Sequence, residues 1–333
     1  MWLSGQSSIY YFTVVIGFII ISMFIKMKKV YIISKFQYSN NLFYLLYLFY
    51  FIITVYLIFI RGGIDLRAVS LEEIYSLRSE QNIDGINGYL LNWSAKVFCP
   101  FFIAFYLYKK KYSLVILTVF LQLIMFLSYG YKAYLFSVIM LAFVLIGKRK
   151  NNFEKNFSLG VSFSIITSYI VYVLFTSTTL INTIAFRLIF VPVQIQYQYF
   201  DYFSKFEKMN FSQSIIGKLF NVEDDYHQPI SFVISMYYQG VISNSNTGIF
   251  SDAFANGGFV LMIIYSMIVG CIFYVIDIVT FKIPVVYTVS ALSYLMFVLN
   301  DNSLLTSLLT GGLALMIILL FLFNSNIKNT EEN

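Results

Sequence analysis

The side chains able to do chemistry gather between about residues 180 and 257. That stretch holds the one histidine of the chain, His227, close behind the acids Glu223, Asp224 and Asp225. A carboxylate or imidazole placed there can take a proton from a hydroxyl, which is general-base work. Adjacent acids equally suit a divalent cation on spacing alone, or a solvated acidic turn. Arg187 stands in apolar sequence ahead of an aromatic, glutamine-rich run, 194–203, that includes Tyr199 and Asp201. A guanidinium donates in a planar fork and stays protonated, so Arg187 suits a diphosphate; its other role is to pair with Asp201 or Asp252. Asp252 closes the stretch, inside the polar patch 244–258 and just ahead of an apolar run. It can serve as a base, an arginine partner or a helix cap.

Two further segments carry candidates. Ser70 and Glu73 have capping-box spacing, which predicts a helix with Leu71, Ile74 and Leu77 on one face. Arg78, with Arg67, then points at an anionic headgroup or a sugar chain, or else decorates a solvated helix. Residues 128–132 form a tight turn in which Gly130 supplies the backbone freedom. Lys132 ends it, as a phosphate ligand or as a lysine snorkelling to the interface.

The elements that must position these groups are membrane helices. Of 333 residues, 59% are hydrophobic and 11% charged, and mean hydropathy is +0.77. Soluble domains run about 45–50% apolar and about 25% charged. About nine apolar runs read as spans: 9–25, 42–60, 93–108, 112–127, 133–147, 157–176, 259–276, 285–299 and 304–323. The fold class is therefore all-α, a polytopic membrane helix bundle forming a single membrane domain over 1–333. The first span lacks the flanks of a cleaved signal peptide and is expected to stay. Aromatics number 28 Tyr and 36 Phe; most of the tyrosines are expected to anchor at the bilayer interface, with a few free to stack on sugar rings. Cys99 and Cys271 fall in apolar runs and read as buried thiols.

Lys26, Lys28, Lys29 and Lys35 follow the first span, Lys109 to Lys111 the third, and Lys148 to Lys150 the fifth. Placing these clusters in the cytoplasm puts the N-terminus outside and the C-terminus inside. Loops 61–92 and 180–257 then face outward and cap the candidate site. The run 182–203 reads as an interfacial helix, because a charge at mid-bilayer costs roughly 2.5–3.5 kcal/mol. The net charge of +6 belongs to these membrane-flanking clusters and implies no nucleic acid. No glycine-rich nucleotide loop occurs, which argues against an ATP-driven pump. The spans read as nearly free of charge, unlike a carrier with a charged cavity.

On Glu73 to Arg78, Leu127 to Lys132, Arg187 with its aromatic run, and Asn246 to Gly258, the chain resembles the Wzy-type O-antigen and capsule polysaccharide polymerases. The resemblance is architectural over most of the chain and loose in its motifs. It implies a C-type glycosyltransferase-like bundle in the bacterial cytoplasmic membrane, whose large outward-facing loop carries interfacial helices. The implied reaction is glycosyl transfer on the outer face, from a chain on undecaprenyl diphosphate to a lipid-linked repeat unit. No cofactor or metal is implied. A chain-length regulator and a flippase of the same pathway are the implied protein partners. Catalytic candidates are His227, Asp252 and Arg187; substrate-binding candidates are Lys132, Arg78, Arg67, Asp225 and Tyr199. An O-antigen ligase with the same donor, or a flippase for lipid-linked glycans, are the alternatives.

Overall fold

The computed structural model describes residues 8–30, 38–70, 73–80, 83, 85–135, 138, 153–176, 178, 181–182, 186 and 190–327. Among them every regular element is helical. In chain order these are α1 (Ser8–Lys26), α2 (Asn40–Ile60), α3 (Ile74–Ser79), α4 (Ile86–Trp93), α5 (Cys99–Tyr108), α6 (Tyr112–Tyr129) and α7 (Phe153–Phe175). There follow α8 (Val191–Lys205), α9 (Ile215–Phe220), α10 (Ile230–Gln239), α11 (Ile249–Val279), α12 (Val285–Asp301), α13 (Leu304–Leu308) and α14 (Leu313–Asn326).

Seven helical runs among the described residues are long and apolar enough to cross a membrane: Ser8–Lys26, Asn40–Ile60, Ile86–Tyr108, Tyr112–Tyr129, Ser158–Phe175, Ile249–Val279 and Leu304–Asn326. A further apolar helix, Val285–Asp301, is shorter. These account for all the expected spans except 133–147, most of which lies outside the described residues. Two boundaries move. The third run starts at Ile86 rather than Trp93, because α4 joins α5 through a π-helical turn, Ser94–Phe98. The run containing Asp252 starts at Ile249, because residues 249–256 are helical rather than loop. α11 breaks at Gly257 and Gly258, whose backbone angles leave the helical region.

Lipid is as apolar as a leucine side chain, so membrane helices associate through close packing and buried polar pairs. Hydroxyls inside the spans bond back to their own helix: Thr54 to the Tyr50 carbonyl at 2.8 Å, Thr118 to Leu114 at 2.7 Å and Ser266 to Met262 at 2.7 Å. That meets the donor without a second helix. The surface is apolar in the way lipid requires, with Phe12 and Phe18 on α1 56% and 60% exposed.

The chain forms two compact units. The first comprises Met1–Lys29, Glu154–Val275 and Phe297–Thr306. Its aromatic core brings Tyr10 of α1 against Phe200 of α8 and Phe254 of α11, with ring centroids at 4.8 and 5.8 Å. The second comprises Val30–Phe153, Ile276–Met296 and Ser307–Asn333. There Phe43 stacks on Phe105 at 4.2 Å and Phe105 meets Phe323 edge-on at 5.0 Å. Such pairs contribute about 0.5–1.5 kcal/mol each beyond the area they cover. Tyr10, Tyr50 and Tyr106 are each 1% exposed. These three tyrosines are core residues, outside the majority expected to anchor at the interface. Cys99 is buried as expected, but Cys271 is exposed on α11; its apolar neighbours reflect a lipid-facing surface rather than a core.

Candidate functional site

Asp252 sits in the first turn of α11, before the Gly257–Gly258 break. Asn256 Nδ2 donates to its carboxylate at 3.1 Å, and the Tyr265 hydroxyl and the backbone N–H of Leu304 act on it electrostatically. Gly248, one turn earlier, lies flush on the turn before α13: a Cβ there would stand 2.4 Å from the Asn300 carbonyl oxygen. The start of α11 is thus seated against Asn300 by close backbone packing.

A second strand of chain docks on the same two turns of helix. Met209 N–H donates to the Ala255 carbonyl at 2.9 Å, and Phe211 N–H to Asn256 Oδ1 at 2.8 Å. This fixes Lys208, whose ammonium lies 3.5 Å from the centre of the Phe254 ring and donates to the Phe203 carbonyl at 2.8 Å. No carboxylate among the described residues is within ion-pair distance of it. Burial pushes the Lys208 ammonium down to about 8. The sequence reading passed over Lys208; an unpaired lysine in the aromatic run's own loop was the available signal.

Tyr199 is 2% exposed, and its hydroxyl donates to the Ser245 carbonyl at 3.0 Å. Burial, with the Asp252 carboxylate adding to it, pushes the Tyr199 phenol well up. Tyr199 and Asp252 therefore belong to one neighbourhood. The same elements bury two oxygens that find no partner among the described residues, Gln198 Oε1 and Thr247 Oγ1. Such a group costs about 1–3 kcal/mol until it is satisfied.

The acidic stretch is organised differently. Asp224 accepts from Gln213 Nε2 at 3.1 Å and from the Tyr226 N–H at 3.2 Å. Gln213 also donates to the Gln228 carbonyl at 2.6 Å and accepts from the Ile230 N–H at 2.9 Å. This network ties the loop to the start of α10, so Asp224 is a brace. Glu223, Asp225 and His227 are exposed, and His227 has a φ of +54°. Among the described residues no group of three His, Cys, Asp or Glu side chains is placed to hold a metal. α10 buries Ile234, whereas Tyr237 is 51% exposed.

Arg187 lies outside the described residues. Asp201, one of its two expected partners, is bonded by Lys205 Nζ at 2.7 Å and by the Tyr238 hydroxyl. Arg67, Arg78 and Lys132 belong to the second unit. Arg67 is forked between Asp65 and Glu80, each at 2.8 Å. Hydrogen bonds from Arg67 hold both carboxyls below their ordinary range. The fork is therefore complete at neutral pH and weakens as pH falls through those lowered values. Arg78 Nε donates to the Gly130 carbonyl at 2.9 Å, with its guanidinium over the Tyr131 ring at 5.5 Å. Ser70 Oγ accepts from the Glu73 N–H at 3.3 Å, one half of a capping box, but α3 begins at Ile74 with Glu73 at its N-cap. Lys132 is exposed at the end of that turn.

The spans are not charge-free. Lys96 sits within the π-helical turn of the run Ile86–Tyr108 and is partly buried. The carbonyl of its neighbour Ala95 accepts from Gln122 at 3.1 Å, which places Lys96 well inside the length of α6. No ion pair or hydrogen bond of Lys96 is found among the described residues. Ionisable groups within spans are costly and accompany function, as π-turns often do. Reading the run as generally apolar hid this residue.

Comparison with protein-family models, with curated proteins and with solved structures finds no match.

Proposed function

We propose that the protein is a membrane glycosyltransferase that polymerises oligosaccharide repeat units carried on undecaprenyl diphosphate, at the outer face of the bacterial cytoplasmic membrane. The acceptor hydroxyl oxygen bonds to the anomeric carbon of the donor sugar. The bond from that carbon to the diphosphate oxygen breaks, its electron pair leaves with the diphosphate, and the hydroxyl proton passes to a base. The leaving group is already a stable anion, so fixed cations matter more than an acid.

The observation that carries this reading is the surroundings of Asp252. Asp252 is held by Asn256 in the first turn of α11, and α8 and the stretch leading into α11 bury two polar oxygens without partners among the described residues, Gln198 Oε1 and Thr247 Oγ1; a hydroxyl-rich acceptor supplies such partners. Asp252 is the favoured base; His227, on its exposed loop, is the alternative. Arg187 is assigned to the diphosphate, and Lys208 joins it as a cation in the same stretch of chain. Arg67, Arg78 and Lys132 remain diphosphate candidates on the sequence argument, Asp225 a contact for the glycan and Tyr199 a wall of the acceptor site.

The test is surface glycan displayed on a gel from a host lacking its own polymerase. Arg187→Ala and Asp252→Asn should each abolish long chains while the protein stays in the membrane. Unchanged chain lengths in both variants would remove these residues and the reading with them. A ligase would attach the glycan to a different acceptor without lengthening it. Lys96 favours one further reading, a carrier of lipid-linked glycans, because an unpaired cation inside a span suits a polar path. Liposomes holding the purified protein separate the two: lengthened glycan marks the transferase, and translocation without lengthening marks the carrier.

A further inference from the structure

The second unit has a small pocket of about 70 Å³ at the end where α2 and α6 begin. Asn40 and Tyr44 of α2 line it, with Phe105 and Tyr106 of α5 and Lys109 and Lys111 of the turn that joins α5 to α6. The turn is fixed from within. Lys109 N–H donates to the Phe105 carbonyl at 2.9 Å and Lys111 N–H to the Tyr106 carbonyl at 2.8 Å, while Lys110 between them has a φ of +56°. The Lys109 ammonium lies 5.7 Å from the centre of the Phe105 ring.

The lining carries two lysines, an amide and two phenols, and no carboxylate. No carboxylate among the described residues is within ion-pair distance of Lys109 or Lys111. Asn40 Oδ1 already accepts from Nδ2 of Asn326, a residue only 6% exposed, at 3.3 Å. The amide N–H groups of Asn40 are thereby left to donate. The Tyr106 hydroxyl is spent on the Phe43 carbonyl at 3.4 Å, and the Tyr44 hydroxyl has no partner among the described residues. Two ammonium groups, an amide and a phenol with no acid among them select an anion. Burial holds the Lys109 ammonium below its ordinary value, a cost that an adjacent anion removes.

The size and walls narrow the anion. The volume lies well below that of ligand pockets, which run about 300–1,000 Å³, so one phosphate-sized group fits and a glycan does not. Tyr44 and Tyr106 stack at 6.3 Å and, with Phe105, present aromatic faces beside the cations. The pocket opens at the ends of two apolar runs, on the face that the basic clusters assign to the cytoplasm, where the leaflet is anionic. We propose that this pocket binds the phosphate of an anionic membrane lipid, with Lys109 and Lys111 as the cations and Asn40 as the neutral donor. The proposal does not depend on the glycan chemistry above.

The full chain, purified in detergent and offered phosphatidylglycerol or phosphatidylcholine, is read by native mass spectrometry. Two lysines near one phosphate lead to a preference of roughly thirtyfold for phosphatidylglycerol. Lys109→Ala with Lys111→Ala should abolish that preference, and the double arginine variant should keep it. Asn40→Ala with Tyr44→Phe leaves every topogenic lysine in place and should weaken retention; it decides the matter if the double alanine variant does not fold. Equal retention by wild type and the folded variants would overturn the proposal. So would displacement of the lipid by millimolar inorganic phosphate, which would mark a free-anion site.

Discussion

Asn256 donates to the Asp252 carboxylate at 3.1 Å and, through its own carbonyl oxygen, accepts the Phe211 N–H at 2.8 Å. One amide thus couples the candidate base to the loop that carries Lys208. Asp252→Ala should remove the carboxylate acceptor of Asn256, leaving a donor whose desolvation costs about 1–3 kcal/mol. Asp252→Asn keeps the shape. The alanine variant should lose thermal stability in detergent, and the asparagine variant should hold it while losing long-chain glycan. Equal loss of stability in both would make Asp252 a structural brace only.

Lys208 provides a pH-dependent test. Its folded value of about 8 lies below the ordinary 10.5. Between those values the unfolded chain binds more protons than the folded one, so stability rises with pH across that window. Below about pH 8 the full cost of the buried charge is present. Lys208→Met should therefore unfold at a higher temperature than wild type at pH 7, and the gap should close as pH approaches 10. Thermal unfolding followed at several pH values checks this. If Lys208 also holds the diphosphate, the same stable variant should lose glycan chain length.

How far the sequence disclosed this arrangement depends on the residue. Apolar runs and basic clusters are summed properties, so the helices and most of their ends could be read directly. The start of α11 could not, because residues 244–258 are polar and small, as loops are. What makes 249–256 helical is tertiary: Gly248 meets the Asn300 carbonyl and Asn256 accepts from Phe211, both far along the chain. Lys96 was missed because one charge barely changes the average of an apolar window. The acids at 223–225 looked equivalent in sequence, and only the reach of Gln213 singles out Asp224.

Gly248 should tolerate no side chain. Alanine would put a Cβ 2.4 Å from the Asn300 carbonyl oxygen, and neither backbone can yield without unseating the first turn of α11. The cost expected for such overpacking is about 1–3 kcal/mol. Gly248→Ala should lower the unfolding temperature and impair glycan synthesis together. Gly240, with nothing within 4 Å of a built Cβ, is the control for space; Gly240→Ala strains only its own φ of +70° and should leave synthesis intact.

Lys96 sets stability against function most directly. An ammonium inside a span, with no partner among the described residues, opposes folding, so Lys96→Met should raise the unfolding temperature of the purified protein. A structural lysine replaced this way would leave the glycan profile unchanged or improve it through higher protein levels. A lysine that meets the substrate's anion gives the opposite pair of results, a more stable protein that makes no long chains. Lys96→Arg, which keeps the charge, should then restore part of the activity at the wild-type unfolding temperature. Translocation measured in the same liposomes assigns the defect: lost lengthening with normal translocation places Lys96 in the transferase site, and lost translocation places it on a carrier path.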